Sequence, residues 1–189
     1  MREVEMKILE ISKTAVLKKL RDIRAKLIYT GSMKVRYFDF PDGRIRKKGD
    51  LLRLREIVKG DGIHTEFVYK KKRGIKGGCK VFDETEMTFD GAGVFESMSA
   101  VFKKMGLKQT VYYEKRRTLY SYKKWKFEID EYPRIPPLVE IEAADPKTVK
   151  EGIGLLGLDG YEKSSETIDE LARRKYKLKL NDLIFNKKT

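Results

Sequence analysis

Glu3-Val4-Glu5-Met6-Lys7-Ile8 decides how the rest of the chain is read. With the two-residue side-chain period of a β-strand, Glu3, Glu5 and Lys7 share one face, and Val4, Met6 and Ile8 share the other. Two carboxylates and an ammonium on one face are costly to bury, so that face is either solvated or built to hold ions.

Composition narrows the choice of partner. The 189 residues are 40% hydrophobic and 38% charged, enough apolar material for one folded domain with a substantial core. Lys and Arg outnumber Asp and Glu by 43 to 29, a formal net charge of +14, which favours an anionic partner such as nucleic acid, nucleotide or polyphosphate. The single cysteine, Cys79, rules out an intramolecular disulfide framework, and no His/Cys cluster offers zinc ligands. With no apolar h-region after Met1 and no apolar run of the roughly 18 residues a span needs, a cytoplasmic protein without membrane insertion is expected.

From the first strand outward, Ser12 is a helix N-cap, followed by Val16, Leu17, Leu20, Ile23 and Leu27 at helical spacing. Strands are expected over Met33–Phe40, Leu51–Val58, His64–Lys71 and about Lys80–Phe89, with Pro41-Asp42-Gly43 and Gly60-Asp61-Gly62 as turns and a basic, glycine-containing loop at 74–78. Asp90 is expected to cap a second helix with an apolar stripe of Val94, Phe95, Met98, Val101, Phe102 and Met105, ended by Gly106. Three more strands follow at Lys108–Tyr122, Lys124–Tyr132 and Leu138–Ala143. Asp145-Pro146 opens a third helix, and the Thr167–Glu170 capping box opens a basic helical segment to about Lys177, leaving Asn181–Thr189 as a weak helix or frayed tail. The sum is eight strands and three or four helices in a single domain, with 164–189 a C-terminal helical segment placed to cover one end.

Strand after strand, charged residues fall on one parity and apolar residues on the other: Arg53 and Arg55 against Leu52 and Leu54, Glu128 and Asp130 against Phe127 and Ile129, Glu140 and Glu142 against Val139 and Ile141. Solvated faces of a half-buried antiparallel sheet alternate in the same way. Here, however, carboxylate pairs concentrate in the first and last long strands, with basic pairs between them. A sheet curled with this face inward would need ligands between its like charges. Paired carboxylates suit a hard divalent cation, and Arg and Lys suit phosphate oxygens, so a metal-bound polyphosphate would satisfy both.

At this point a family resemblance enters. Glu3-Val4-Glu5-Met6-Lys7 resembles the ExExK signature of the CYTH domains, the triphosphate tunnel metalloenzymes, which include class IV adenylyl cyclases, thiamine triphosphatases and inorganic tripolyphosphatases. Five further blocks follow in family order: Leu51-Leu52-Arg53-Leu54-Arg55, Val68-Tyr69-Lys70, Asp83-Glu84-Thr85-Glu86, Lys115-Arg116-Arg117, and Ile129-Asp130-Glu131-Tyr132 with Leu138-Val139-Glu140-Ile141-Glu142. The resemblance implies an α+β fold, an eight-stranded antiparallel β-barrel (the triphosphate tunnel) with a charged interior and helices packed outside. It implies that Glu3, Glu5, Asp130, Glu140 and Glu142 bind Mg²⁺ or Mn²⁺, and that Lys7, Arg53, Arg55, Lys70, Lys115 and Arg117 hold the triphosphate. Those six cations together with Glu3 and Glu5 form the implied catalytic set; Glu84, Glu86 and Lys72 are additional candidates. Phe82-Asp83 stands where many relatives carry a basic residue, and Ile135-Pro136-Pro137 replaces a glycine-containing turn before the last strand.

The implied activity is hydrolysis of a triphosphate, whether inorganic, thiamine or nucleoside, because metal and triphosphate motifs suffice for it. The alternative is a class IV adenylyl cyclase converting ATP to cyclic AMP and pyrophosphate. A third reading is a non-catalytic RNA or polyphosphate binder using Lys70–Arg73 and Lys123–Lys126 beside Tyr112, Tyr113, Tyr120 and Tyr122. The expected partner is a triphosphate-bearing small molecule, with nucleic acid less favoured and a homodimer compatible. His64 reads as a turn-edge residue and Cys79 as a loop residue of no catalytic consequence.

Overall fold

The computed structural model describes residues 2–185, with the side chains of Arg2 and Glu3 outside the description. Its elements run β1 (Arg2–Ile8), α1 (Lys13–Asp22), β2 (Lys26–Asp39), α2 (Arg44–Lys47), β3 (Leu51–Lys59), β4 (Gly62–Lys76), β5 (Cys79–Asp90), α3 (Val94–Lys104), β6 (Lys108–Tyr122), β7 (Trp125–Tyr132), β8 (Ile135–Ala143), α4 (Pro146–Leu155), β9 (Lys163–Ser164) and α5 (Ile168–Arg174). Strand order is β5-β4-β3-β2-β6-β7-β8-β1-β9, and a further pairing of β5 with β1 closes the first eight into an antiparallel barrel. The five helices pack around it.

The alternation read from the sequence decides which way each face points. Val4, Met6, Ile8, Phe127, Ile129, Val139 and Ile141 face outward into a core with Val16 and Leu20 of α1 and Val149 and Ile153 of α4. A second outward core places Leu52 and Leu54 of β3 against Phe95 of α3. The third apolar cluster joins Met33, Val35, Ile57, Tyr113, Tyr132 and Leu138, which share the inward parity, to Ile168, Leu171, Leu180 and Leu183 of the C-terminal segment. That segment is tied to β6 where the Leu183 carbonyl accepts from Glu114 N–H at 2.8 Å and Asn181 Oδ1 accepts from Tyr112 N–H at 2.7 Å.

Several boundaries differ from those expected. α1 stops at Asp22 and the chain reverses through Arg24 at φ 57°, so Leu27 belongs to β2 and is half exposed rather than continuing a helical stripe. The Ile28-Tyr29-Thr30 run, β-branched and aromatic, favours strand over helix there. Asp90 does not cap α3: Gly93 holds the N-cap position at φ 84°, and Asp90 instead meets His64 Nδ1 at 2.6 Å. Val101 and Met105 of the expected stripe are exposed. The turn before β8 is Pro133-Arg134, with Arg134 at φ 62°, so Ile135-Pro136-Pro137 is already strand. The described residues hold five α-helices, one more than expected, because Asp39, accepting from Ile45 and Arg46 N–H at 3.0 Å each, folds the extra turn α2. Cys79 is fully buried in β5 rather than in a loop, and burial pushes its thiol pKa up. Of the weak helix or tail expected over Asn181–Thr189, Asn181 and Asp182 complete a 3-10 turn from Leu180, and Leu183 is fully buried, while 186–189 lie outside the described residues.

Asp145 and Thr167 cap α4 and α5 as read, each side chain accepting a backbone N–H. α4 presses closely on β7: a Cβ added at Gly152 would lie 2.8 Å from Trp125 Cδ1 and 3.0 Å from Ile141 Cγ2. Gly152→Ala should therefore cost about 1–3 kcal/mol by overpacking, read by urea unfolding and by a changed emission of Trp125, the one tryptophan.

Candidate active site

The inner face of the barrel encloses a cavity of about 740 Å³. Strand register sets opposite charges side by side on that face. β6 against β7 pairs Arg117 with Asp130, β3 against β4 pairs Arg55 with Glu66, and β4 against β5 pairs Lys70 with Glu84. β1 lies between β5 and β8, so Glu5 stands opposite both Lys80 and Glu142, and Lys7 opposite Glu140.

The side chains complete this pattern. Lys7 Nζ lies 2.6 Å from Glu140 Oε1 and 3.2 Å from Glu5 Oε1. Burial works against its charge, but Glu140 and Glu5 outweigh burial and hold the ammonium well above its ordinary pKa. Arg117 donates to Asp130 through Nε and Nη2, at 2.6 Å each, and reaches Glu140 Oε2 at 2.9 Å. Lys115 Nζ adds a 2.8 Å bond to Asp130 Oδ2. Arg55 is held by Glu66 and Lys70 by Glu84. Glu128 touches Arg117, yet its carboxyl is pushed up to about 8, because burial and the neighbouring Glu140 and Asp130 charges outweigh a guanidinium that Asp130 already engages. Asp130 and Glu140 lie on the other side of the balance: burial opposes their charge, but Arg117 and Lys115 depress Asp130, and Lys7 and Arg117 depress Glu140.

Most residues singled out in the sequence meet here. Glu5, Lys7, Arg53, Arg55, Lys70, Glu84, Glu86, Lys115, Arg117, Glu140 and Glu142 all line the cavity. Glu3 shares the strand, but its side chain lies outside the described ones. Asp130, expected among the metal ligands, does not line the cavity: it is fully buried, with both oxygens engaged by Lys115 and Arg117. Lys72 is exposed at the β4 edge, where its N–H donates to Asp50, and it does not reach the interior. The surface stacking platform dissolves: Tyr113 points into the barrel, Tyr120 lies in the outward core, and Tyr112 bonds Glu114.

Sequence reading missed Tyr29, Tyr37, Glu66 and Lys80 as cavity residues, and gave no role to Glu128, which it had placed on the charged face beside Asp130. Glu66, Lys80 and Glu128 each sit at an even spacing from a residue singled out on the same strand, which is the signal that could have placed them; β2 carries no such residue to mark Tyr29 and Tyr37. Tyr29 carries a phenol pushed up to about 12, by burial against the pull of Arg117.

For a metal ion, the donor chemistry fits. Glu5 and Glu142 oppose one another across β1 and β8, with Lys7 on Glu5 at 3.2 Å and Lys126 on Glu142 at 3.0 Å; carboxylate oxygens so paired, once released from these lysines, suit Mg²⁺ or Mn²⁺. Among the described residues, no three Asp, Glu, His or Cys side chains already converge as a metal site, since Lys7 occupies Glu5 and Glu140. No helix is long and apolar enough to cross a membrane, among the described residues.

An antiparallel barrel enclosing a substrate-sized cavity of alternating cations and carboxylates is a tunnel-type catalytic scaffold. The chain belongs to the CYTH domain family, whose model matches residues 1–156. No curated protein matches the chain. Similar solved structures include the PH1012 protein of Pyrococcus horikoshii OT3 (21% identity, TM-score 0.68, 96% of this chain and 99% of that one). A candidate adenylate cyclase of Vibrio parahaemolyticus is similar at 16% identity (TM-score 0.73, 89% and 96%). A candidate adenylyl cyclase of Hippeastrum, described as having a dominant triphosphatase activity, is similar at 16% identity (TM-score 0.63, 94% and 96%). Members of the family are generally metal-dependent.

Asp130→Asn should leave Lys115 without the carboxylate it contacts and Arg117 with Glu140 and Glu128 alone, and cost about 3–5 kcal/mol in urea unfolding. The depressed pKa values of Asp130 and Glu140 stabilise the fold above the ordinary carboxylate range, near 3.8 for Asp. That contribution is lost as pH falls through the depressed values. Thermal melts between pH 6 and 2 should therefore decline less steeply for the variant than for the parent protein.

Proposed function

We propose that this protein is a divalent-metal-dependent hydrolase of a triphosphate held in the barrel. The observation that carries the reading is the convergence of Lys7, Arg53, Arg55, Lys70, Lys115 and Arg117 on one cavity beside Glu5, Glu140 and Glu142. The cations would bind the phosphate oxygens and stabilise charge that develops as the bond to the leaving phosphate breaks. Glu5, Glu142 and Glu140 would hold Mg²⁺ or Mn²⁺, which when bound supplies neutralisation of phosphate charge and a more acidic water. Release of Glu5 and Glu140 to a metal would free the Lys7 ammonium for phosphate. Asp130 is assigned the role of fixing the Arg117 and Lys115 side chains, which it holds from behind. We propose one domain over 1–189, with 164–189 covering one mouth; Thr167 and Ile168 at the cavity wall support this.

Water attacking the terminal phosphorus gives orthophosphate, whereas the ribose 3′-hydroxyl attacking the α-phosphorus gives cyclic AMP and pyrophosphate. The cyclase reading is supported by Tyr29, Tyr37, Leu51 and Leu119, which supply aromatic and apolar wall for a base in the same cavity. Hydrolysis is favoured because it requires only the charged groups, and the Hippeastrum neighbour, a candidate cyclase, is described by its triphosphatase activity.

Incubation with Mg²⁺ or Mn²⁺ and tripolyphosphate, thiamine triphosphate or ATP should release orthophosphate and stop on addition of EDTA. Cyclic AMP would favour the cyclase; no turnover with tight RNA retention would overturn the enzyme reading. Glu5→Gln should raise the metal concentration needed for half-maximal rate, and Arg55→Ala should raise KM about tenfold, both with unchanged circular dichroism.

A further inference from the structure

Lys7, Arg55, Lys70, Lys115 and Arg117 each contact a carboxylate of the protein. Lys80 is built differently. It lines the same cavity from β5 and is 6% exposed, yet its Nζ has no hydrogen-bond partner among the described residues. The nearest carboxylate oxygen, Glu170 Oε2, is 3.7 Å away, beyond hydrogen-bonding distance. That oxygen is already occupied, accepting from Thr167 N–H at 2.6 Å and Thr167 Oγ1 at 2.8 Å in the cap of α5. Glu5, opposite Lys80 in register, turns its carboxylate to Lys7 instead. Phe82, two residues on and facing the same cavity, offers no oxygen or nitrogen acceptor, only its ring face, 5.9 Å from Lys80 Nζ and 5.6 Å from Lys70 Nζ.

A buried ammonium without an acceptor is costly, and the described residues supply none within hydrogen-bonding distance. We propose that Lys80 is a phosphate-binding residue of this cavity, whose three N–H donors are left for an oxyanion of the ligand. The proposal rests on the triphosphate reading above.

The groups facing Lys80 are Glu5 and Lys7 of β1, Glu140 of β8, Lys70 of β4 across Phe82, Glu166 ahead of α5 and Glu170 within it. Burial first, and Lys7 next, push its pKa down to about 8 against the pull of Glu170, Glu5 and Glu140. In the free protein its charge therefore opposes folding below about pH 8, an effect relieved as pH rises towards the ordinary value of 10.5. A phosphate oxyanion at Nζ reverses this balance and draws a proton onto the side chain.

Metal-free tripolyphosphate is titrated calorimetrically into the full-length wild type, Lys80→Met and Lys80→Arg at pH 7, and at pH 8.5 in two buffers of different ionisation enthalpy. Lys80→Met should bind about tenfold more weakly at pH 7, equivalent to about 1.4 kcal/mol, and take up fewer protons at pH 8.5. Lys80→Arg should restore the affinity. With Mg²⁺ present, the Met variant should show a raised KM with kcat within about twofold of wild type, and its ligand-free melting temperature should be no lower.

Wild-type affinity and proton uptake in Lys80→Met would overturn the Lys80 assignment while leaving the triphosphate reading in place. A lowered melting temperature with unchanged affinity would make Lys80 a structural partner of Glu170 and overturn it equally. Failure of the wild type itself to bind tripolyphosphate would overturn the triphosphate reading, and the Lys80 assignment with it.

Discussion

Charge enclosed in a barrel must be matched nearly atom for atom, and the architecture follows from that constraint. A continuous chain of contacts runs from Glu5 through Lys7, Glu140 and Arg117 to Asp130 and Lys115, crossing β1, β8, β6 and β7. Taking so many ions out of water is expensive, and apolar residues of similar volume would stabilise a barrel at least as well. Their retention is therefore better explained by a ligand of opposite character than by stability. The apolar clusters outside the barrel supply the compensating burial: the inward charges sit back to back with Val4, Phe127, Ile129, Val139 and Ile141.

The network also has a gradient of purpose. Asp130, with no surface exposed, fixes the forks of Arg117 and the reach of Lys115 and takes no place at the cavity wall. Glu5, Glu140 and Glu142 keep a small exposure towards the interior. Two carboxylate populations thus share one sheet face, one sealed from the cavity and the other lining it. Motif order alone could not divide them, and so the family resemblance grouped Asp130 with Glu5, Glu140 and Glu142.

Strand period was legible because it is short-range: Glu140 and Glu142 against Val139 and Ile141 needs only four residues to declare two faces. Which face turns inward is a property of closure, and it entered through the six ordered blocks rather than through periodicity. Local signals failed where two elements competed for the same residues. Leu27 completed a helical spacing that the Ile28-Tyr29-Thr30 strand overrode, and Asp90 was drawn from capping by its cross-strand contact with His64. Within the cavity, Lys80 opened its expected strand but belonged to none of the six blocks. Tyr29 lay ahead of the expected start of β2, and Glu66 becomes meaningful only when β3 and β4 bring it opposite Arg55.

β1 has partners along both margins: β8 on one side, and on the other β5 up to Glu5 and then β9 from Lys7 to Ile8. Seven residues thereby seal the ring, and no barrel strand among the described residues is left without a neighbour on either side. Loss of that segment, by proteolysis or by displacement, would bare the margins of β5 and β8 as two unpaired strand edges. Such edges template pairing between copies, so the strand that carries Glu5 and Lys7 is also the barrel's guard against self-association.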